Sequence, residues 1–329
     1  MTHPKTTAEA FETFDENLKL NPLERIRAET THREITALLI AKGVIVAAFL
    51  QGSFARKTMI APLRDIDKVV VLHPDLDGLS PEEVMNRIEA VLRAAYPRAT
   101  FDRSRHALQV DFGKESFYFD TVPAWESVDE DDDVMIANRE TGGWDRSNTR
   151  TLIRVVAERN KLSGGVWIHQ VRMAKQVVKH LLDGIVPGLH VESWAFIAVT
   201  GRMTHDAALT RILEFGAELL GSSYTEPTGV EVISDRLKPD VIAEAKPVLQ
   251  RAALRAAEAR RLTEAGDHNE AIRIWRELCG DCFPDPQPQD AASALGAAFA
   301  GNAVTSSGGV SSTRAGHQTN RATRSWGPG

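Results

Sequence analysis

The run Asp65-Ile66-Asp67-Lys68-Val69-Val70-Val71-Leu72 constrains the fold of this chain more than any other stretch. Its β-branched residues pack well on a pleated surface and read as a strand. Side chains alternate along a strand, so Asp65 and Asp67 project to one face while Ile66 points into the core. Two carboxylates a few ångströms apart repel by about 4 kcal/mol at an effective dielectric near ~20. Such a pair needs a cation or a proton between its members. Hard oxygen ligands of this kind suit Mg²⁺ or Mn²⁺, which complete their shells with substrate phosphates and water.

A strand over Val44–Gln51 precedes this run and stops at Gly52-Ser53, where a short helical segment begins. Glycine at such a turn lets the backbone approach a ligand, and the free N–H groups at the next helix start form an anion site that a phosphate can occupy. Arg56 and Lys57 add positive charge nearby. No Gly-Lys-Ser/Thr follows, so the turn is not a Walker A loop. Two-metal phosphoryl chemistry also requires a carboxylate from a neighbouring strand. Asp120, in Phe117-Tyr118-Phe119-Asp120-Thr121-Val122-Pro123-Ala124, is the first choice and Asp111 the second.

Around this centre the chain changes texture. Residues 8–42 carry a helical pattern, with Pro22 at a break or a helix start and Ile26, Ile35, Leu38, Leu39 and Ile40 marking the inward side. Ser80-Pro81-Glu82-Glu83 supplies an N-cap, a proline at the first helical position and the acid of a capping box. Ala107–Phe112 and Ser116–Val122 flank Gly113-Lys114-Glu115 and predict a hairpin. Beyond Trp144 long helical patterns follow: 152–160, 167–182, 192–200, 206–220, 241–262 and 271–278. A mixed α/β front, residues 1–145 with its N-terminal helix, thus joins a helical rear over 146–284. Residues 285–329 are poor in large apolar side chains, cannot offset their ordering entropy, and are expected to be disordered.

Composition removes other classes. The longest apolar run, Val44–Leu50, is far short of a membrane span, and the amino end lacks the order of a secretory signal, so a cytoplasmic location is expected. A net charge of −6 argues against general binding to duplex nucleic acid. Cys279 and Cys282 lack a second ligand pair for zinc. The acidic run Asp129–Asp133 lacks the spacing and glycine of a calcium loop. His169, His180, His190 and His205 show no metal spacing, and Trp144 and Trp194 read as core.

Gly52-Ser53, then Asp65-Ile66-Asp67, then Asp120-Thr121-Val122-Pro123-Ala124 together resemble the DNA polymerase β-like nucleotidyltransferases. Within that superfamily the chain is most similar to the bacterial cGAS/DncV-like nucleotidyltransferases (CD-NTases), which make cyclic oligonucleotide signals in anti-phage defence. Val171-Arg172-Met173-Ala174-Lys175, His190-Val191-Glu192, and Ala271-Ile272-Arg273-Ile274-Trp275 through Phe283-Pro284 resemble the helical lobe of that family. The likeness runs from about Leu18 to Pro284. It departs at Lys57, where the family often has glycine, and at Arg64, where it often has serine.

The resemblance implies an α+β, bilobed polymerase β-like core with a mixed sheet, and a helical lobe closing over the nucleotide. Asp65 and Asp67 would hold two Mg²⁺ (or Mn²⁺) ions. Asp120 would bind the one beside the acceptor 3′-hydroxyl and help remove its proton. That hydroxyl would attack the α-phosphate of a nucleoside triphosphate, releasing pyrophosphate. Gln51, Gly52 and Ser53 would face the β- and γ-phosphates; Lys175, with Arg172, Lys179 and Glu192, would contribute from the helical lobe. The product would be a cyclic di- or trinucleotide. Activator or conjugating proteins of a defence operon would be partners, with Gly329 a possible point of attachment. Alternatives are another acceptor (an RNA end, a drug or a protein side chain) and a non-catalytic nucleotide-binding regulator.

Overall fold

A computed structural model describes residues 4–113, 117–127 and 134–288. The hairpin turn at 114–116, the acidic run Asp129–Asp133 and the tail beyond residue 288, Gly329 included, lie outside the described residues. Residues 2–285 form one compact unit, to which every element below belongs.

Two helices open the chain, α1 (Thr7–Leu18) and α2 (Pro22–Ala41). Pro22 is a start rather than a break: Asn21 caps the second helix by accepting the N–H of Leu23. α2 buries Ala28, Ile35 and Leu39. Ile26 and Ile40, read from the sequence as inward, stand 57% and 45% exposed. β1 (Ile45–Leu50) leads into the four-residue α3 (Gly52–Ala55) and then β2 (Asp65–Leu72). α4 (Pro81–Ala95) begins as its sequence dictates, with Ser80 and Glu83 exchanging cap hydrogen bonds and Val84, Met85, Ile88 and Leu92 turned inward.

The sheet is completed by β3 (Thr100–Arg103), β4 (Leu108–Asp111), β5 (Tyr118–Glu126), β6 (Val134–Asn138) and β7 (Gly143–Ser147). Its order is β1-β2-β5-β4-β3, with β6 joining β5 to β7. β2 and β5 run parallel, and every other pairing is antiparallel. The predicted hairpin is present as β4–β5. β5 is long enough to hold β4 along its first half and β6 along its second. Ile66, Val70, Phe119 and Ile88 belong to the core of this half.

The rear helices are α5 (Thr149–Leu162), α6 (Trp167–Leu182), α7 (Gly188–Ala198), α8 (His205–Leu219), α9 (Pro239–Glu264) and α10 (His268–Cys279). They share a second core that contains Trp167, Trp194 and Trp275. α1 packs here and not with the sheet: Phe11 meets Trp275 edge to face at 5.0 Å and Phe283 at 5.2 Å. α8 approaches α7 closely because Gly216 lacks a side chain; a Cβ there would lie 2.7 Å from the Trp194 ring. Trp194 is fully buried, and Trp144 packs edge to face on Trp125 at 5.8 Å. Among the described residues no helix is long and apolar enough to cross a membrane.

Candidate active site

The site forms where β1 ends. Gln51 N–H donates to the Asp67 carbonyl at 2.9 Å, holding the end of β1 against β2. The next residue, Gly52, sits at φ +66°, and a Cβ there would fall 1.7 Å from Asp67 Oδ2. Only glycine can occupy this position, because the turn lies directly on the Asp67 carboxylate. After α3 the chain turns again at Lys57, a non-glycine residue at φ +62°. Lys57 is thus held in the left-handed conformation that glycine adopts freely.

The parallel register of β2 and β5 sets Asp67 opposite Asp120 and Asp65 opposite Tyr118. Adjacent strands are about 4.8 Å apart, so the two aspartates are near neighbours. Alternation puts Asp65 on the same face. Burial, then Asp65 and then Asp120, push the Asp67 carboxyl up to about 6. Asp120 is also raised, by burial first and also by Asp65, against a hydrogen bond from Gln109. Gln109, on β4 and in register with Asp120, donates Nε2–H to Asp120 Oδ1 at 3.3 Å. The Tyr118 phenol is raised by burial and by the three aspartates together.

These are hard oxygen donors whose charges oppose one another, the chemistry that a divalent cation relieves, and the residues fit such an ion. Among the described residues no three His, Cys, Asp or Glu side chains converge on a common point. The aspartates share a face and a field without enclosing one. Asp111, the second choice from sequence, is exposed and accepts the N–H of Gly113 at 2.7 Å, closing its own turn. Cys279 and Cys282 are free thiols, Cys279 buried and raised well above its usual value by that burial.

Beside the aspartates a cavity of about 300 Å³ is lined by Ser53, Thr58, Asp65, Lys175, Lys179 and Gly188, among others. It brings Ser53 and Lys175 together, as the sequence expects. Arg172 and Glu192 are placed elsewhere. Arg172 reaches α1, donating Nη2–H to Asp15 Oδ1 at 2.9 Å, and Nη1–H to the Lys57 carbonyl at 3.4 Å. Burial alone would raise Asp15; His169 and Arg172 instead hold it well below the usual carboxylate range. Arg172 lines a separate cleft with Lys57, Phe54, Arg25 and Lys19.

Glu192 is wholly buried. Its Oε2 accepts Arg56 Nε–H at 2.7 Å, and its Oε1 accepts Arg56 Nη2–H at 3.2 Å, the Thr58 hydroxyl at 2.8 Å and Lys175 Nζ–H. Burial favours its neutral form, but Arg56 and Lys175 bring the carboxyl down to about 2. Both oxygens are committed to Arg56, Thr58 and Lys175, and Glu192 is not among the residues that line the cavity. Thr58, Gln109 and Gly188 were not legible as site residues. Arg56 and Glu192 are 136 residues apart, and no local pattern joins them.

A glycine turn pressed on a strand carboxylate, a parallel pair carrying the other acid, and a helical half facing the same cavity make up the polymerase β-like nucleotidyltransferase fold. Residues 5–160 match the Second Messenger Oligonucleotide or Dinucleotide Synthetase domain. The chain is 24% identical to the cyclic AMP-AMP-GMP synthase of Enterobacter hormaechei subsp. hoffmannii (strain UCI 50), over 75% of this chain and 83% of that protein. It is 22% identical to the probable cyclic AMP-AMP-GMP nucleotide synthase of Salmonella paratyphi B, over 80% and 87%. Its fold matches E. coli MS115-1 CdnC solved with ATP, at a TM-score of 0.65 and 15% identity over 85% of this chain and 99% of that one. It also matches the apo form of Vibrio cholerae DncV, at a TM-score of 0.61 and 15% identity over 85% and 87%. These likenesses are all to nucleotide synthases of the cGAS/DncV type, the CD-NTases, cyclic oligonucleotide synthases that generally use divalent metals.

Proposed function

We propose that this enzyme joins nucleoside triphosphates into a cyclic di- or trinucleotide second messenger of anti-phage defence, with the donor triphosphate in the cavity between Ser53 and Lys175. The observation that carries this reading is the parallel register of Asp67 on Asp120, with Gly52 pressed on Asp67. Asp65, Asp67 and Asp120 would hold two Mg²⁺ or Mn²⁺ ions, which supply charge neutralisation of the phosphates and a more acidic acceptor hydroxyl.

The protein's own groups do the rest. The turn at Gly52-Ser53 presents backbone N–H groups and a hydroxyl to the β- and γ-phosphates, with no side chain at Gly52 to keep them away. Lys175 and Lys179 neutralise the same phosphates from α6. Asp120 accepts the proton of the acceptor hydroxyl at its carboxylate, and Gln109 fixes that carboxylate through Oδ1.

Purified protein with the four labelled triphosphates and Mg²⁺ or Mn²⁺ tests the proposal. Wild type should release pyrophosphate and yield a small cyclic product, and Asp67→Ala should lose both. Linear RNA or a nucleotidylated protein as product would move the assignment to another acceptor. No pyrophosphate under either metal, with or without a phage-derived activator, would refute it. Activator or conjugating partners belong to the same proposal, and intact mass after co-expression with operon neighbours reads modification at Gly329.

A further inference from the structure

Behind the cavity two cations share one carboxylate: Arg56 and Lys175, both buried, pair directly with Glu192. Asp67 and Glu226 also act on Arg56, and Asp65 on Lys175. The geometry distinguishes the two cations. Arg56 has the two-point pairing that suits a guanidinium on a carboxylate. Lys175 has a single carboxylate oxygen and fills its remaining contacts with the carbonyl and hydroxyl of Thr58, each at 3.2 Å. Lys175, not Arg56, lines the cavity beside Ser53 and Asp65. Its place there depends on Gly188, where a Cβ would lie 3.1 Å from Lys175 Cε.

We propose that Glu192 is a positioning residue for the donor nucleotide: clamped by Arg56, it holds the Lys175 ammonium against Thr58 at the cavity wall, where the terminal phosphates of the donor meet it. This rests on reading the cavity as the triphosphate site. Glu192 does not touch the phosphates, which its own charge would repel. When the triphosphate engages Lys175, Arg56 remains on Glu192, so the carboxylate is not left unpaired. The same pairing ties α7 to the end of α3, and therefore steadies the turn that carries Ser53.

The test uses the full chain and non-hydrolysable analogues of ATP and GTP with Mg²⁺, titrated calorimetrically, alongside steady-state pyrophosphate release. Wild type is compared with Glu192→Gln, Lys175→Met and the double variant. Glu192→Gln should raise Kd and KM about tenfold with kcat within about threefold, and Lys175→Met should do the same. The double variant should bind no more than about twofold more weakly than Lys175→Met alone, because both changes remove one interaction. Effects that multiply, or a fall in kcat at unchanged KM, would overturn the proposal. If Lys175→Met binds as tightly as wild type, the reading of the cavity fails and takes the proposal with it. If Lys175→Met weakens binding and Glu192→Gln does not, only the role of Glu192 fails. Should Glu192→Gln not fold, Thr58→Val carries the test: it removes the hydroxyl between Glu192 and Lys175 without stranding a charge. It should weaken binding about threefold, and unchanged affinity would overturn the proposal.

Discussion

Replacing Gly52 with alanine places a methyl carbon 1.7 Å from Asp67 Oδ2. Ordinary contact between carbon and oxygen is about 3.3 Å, so the turn or the carboxylate must retreat by roughly 1.5 Å. The backbone offers no easy escape, because φ +66° already costs an alanine about 1 kcal/mol relative to glycine. A displacement of about 1 Å among reacting groups can cost ~10²-fold in rate. Gly52→Ala should therefore lower kcat/KM at least 10²-fold, about 2.7 kcal/mol of transition-state stabilisation. Stability should fall by only about 1 to 3 kcal/mol. Pyrophosphate release under saturating metal and triphosphate gives the first figure, and thermal denaturation the second. A folded Gly52→Ala enzyme within about threefold of wild type would show that the turn does not lie on Asp67, and would refute the reasoning.

Burial and the neighbouring Asp65 and Asp120 push the Asp67 carboxyl from its ordinary 3.8 up to about 6. The folded state thus holds this proton more tightly, and the stabilisation is full below pH ~4 and lost as pH rises through ~6. In chelator, wild type should lose stability relative to Asp67→Asn across that window, and the melting-temperature difference between the two reads it directly. Added Mg²⁺ should raise the melting temperature of wild type at pH 7 and that of Asp67→Asn much less. Arg172→Met should lower the melting temperature, since it leaves the buried Asp15 carboxylate without its guanidinium, while KM stays within about twofold; a tenfold rise in KM would return Arg172 to the nucleotide site. Gly216→Ala should cost about 1 to 3 kcal/mol by overpacking against Trp194, with kcat unchanged, as denaturation and turnover measured side by side will show.

The acidic head of β2 was legible because strand alternation is local: it needs only the residues 65–67 and a hydrophobic body behind them. The capping box of α4 and the paired strands β4 and β5 were legible for the same reason. The short strands β3, β6 and β7 were not. Thr100–Arg103 has no buried residue, and Gly143–Ser147 contains only one large apolar side chain, so neither shows the alternation of a half-buried strand. The helical stripe on α6 grouped Arg172 with Lys175 and Lys179. Tertiary structure then divided it, because Asp15 on α1 draws Arg172 away while Glu192 on α7 fixes Lys175. Nor could the sequence assign α1 to the rear helices. That choice depends on Phe11 and Phe14 meeting Trp275 and Phe283, aromatic contacts between opposite ends of the described chain.

A crystal soaked with Mn²⁺ and a non-hydrolysable triphosphate addresses the central claim most directly, because manganese is located by its own anomalous signal. Peaks within ligating distance of Asp65, Asp67 and Asp120, with the triphosphate lying along Gly52-Ser53, are the expected result. Manganese bound away from these side chains, or a triphosphate seated in the Arg172 cleft, would contradict the account.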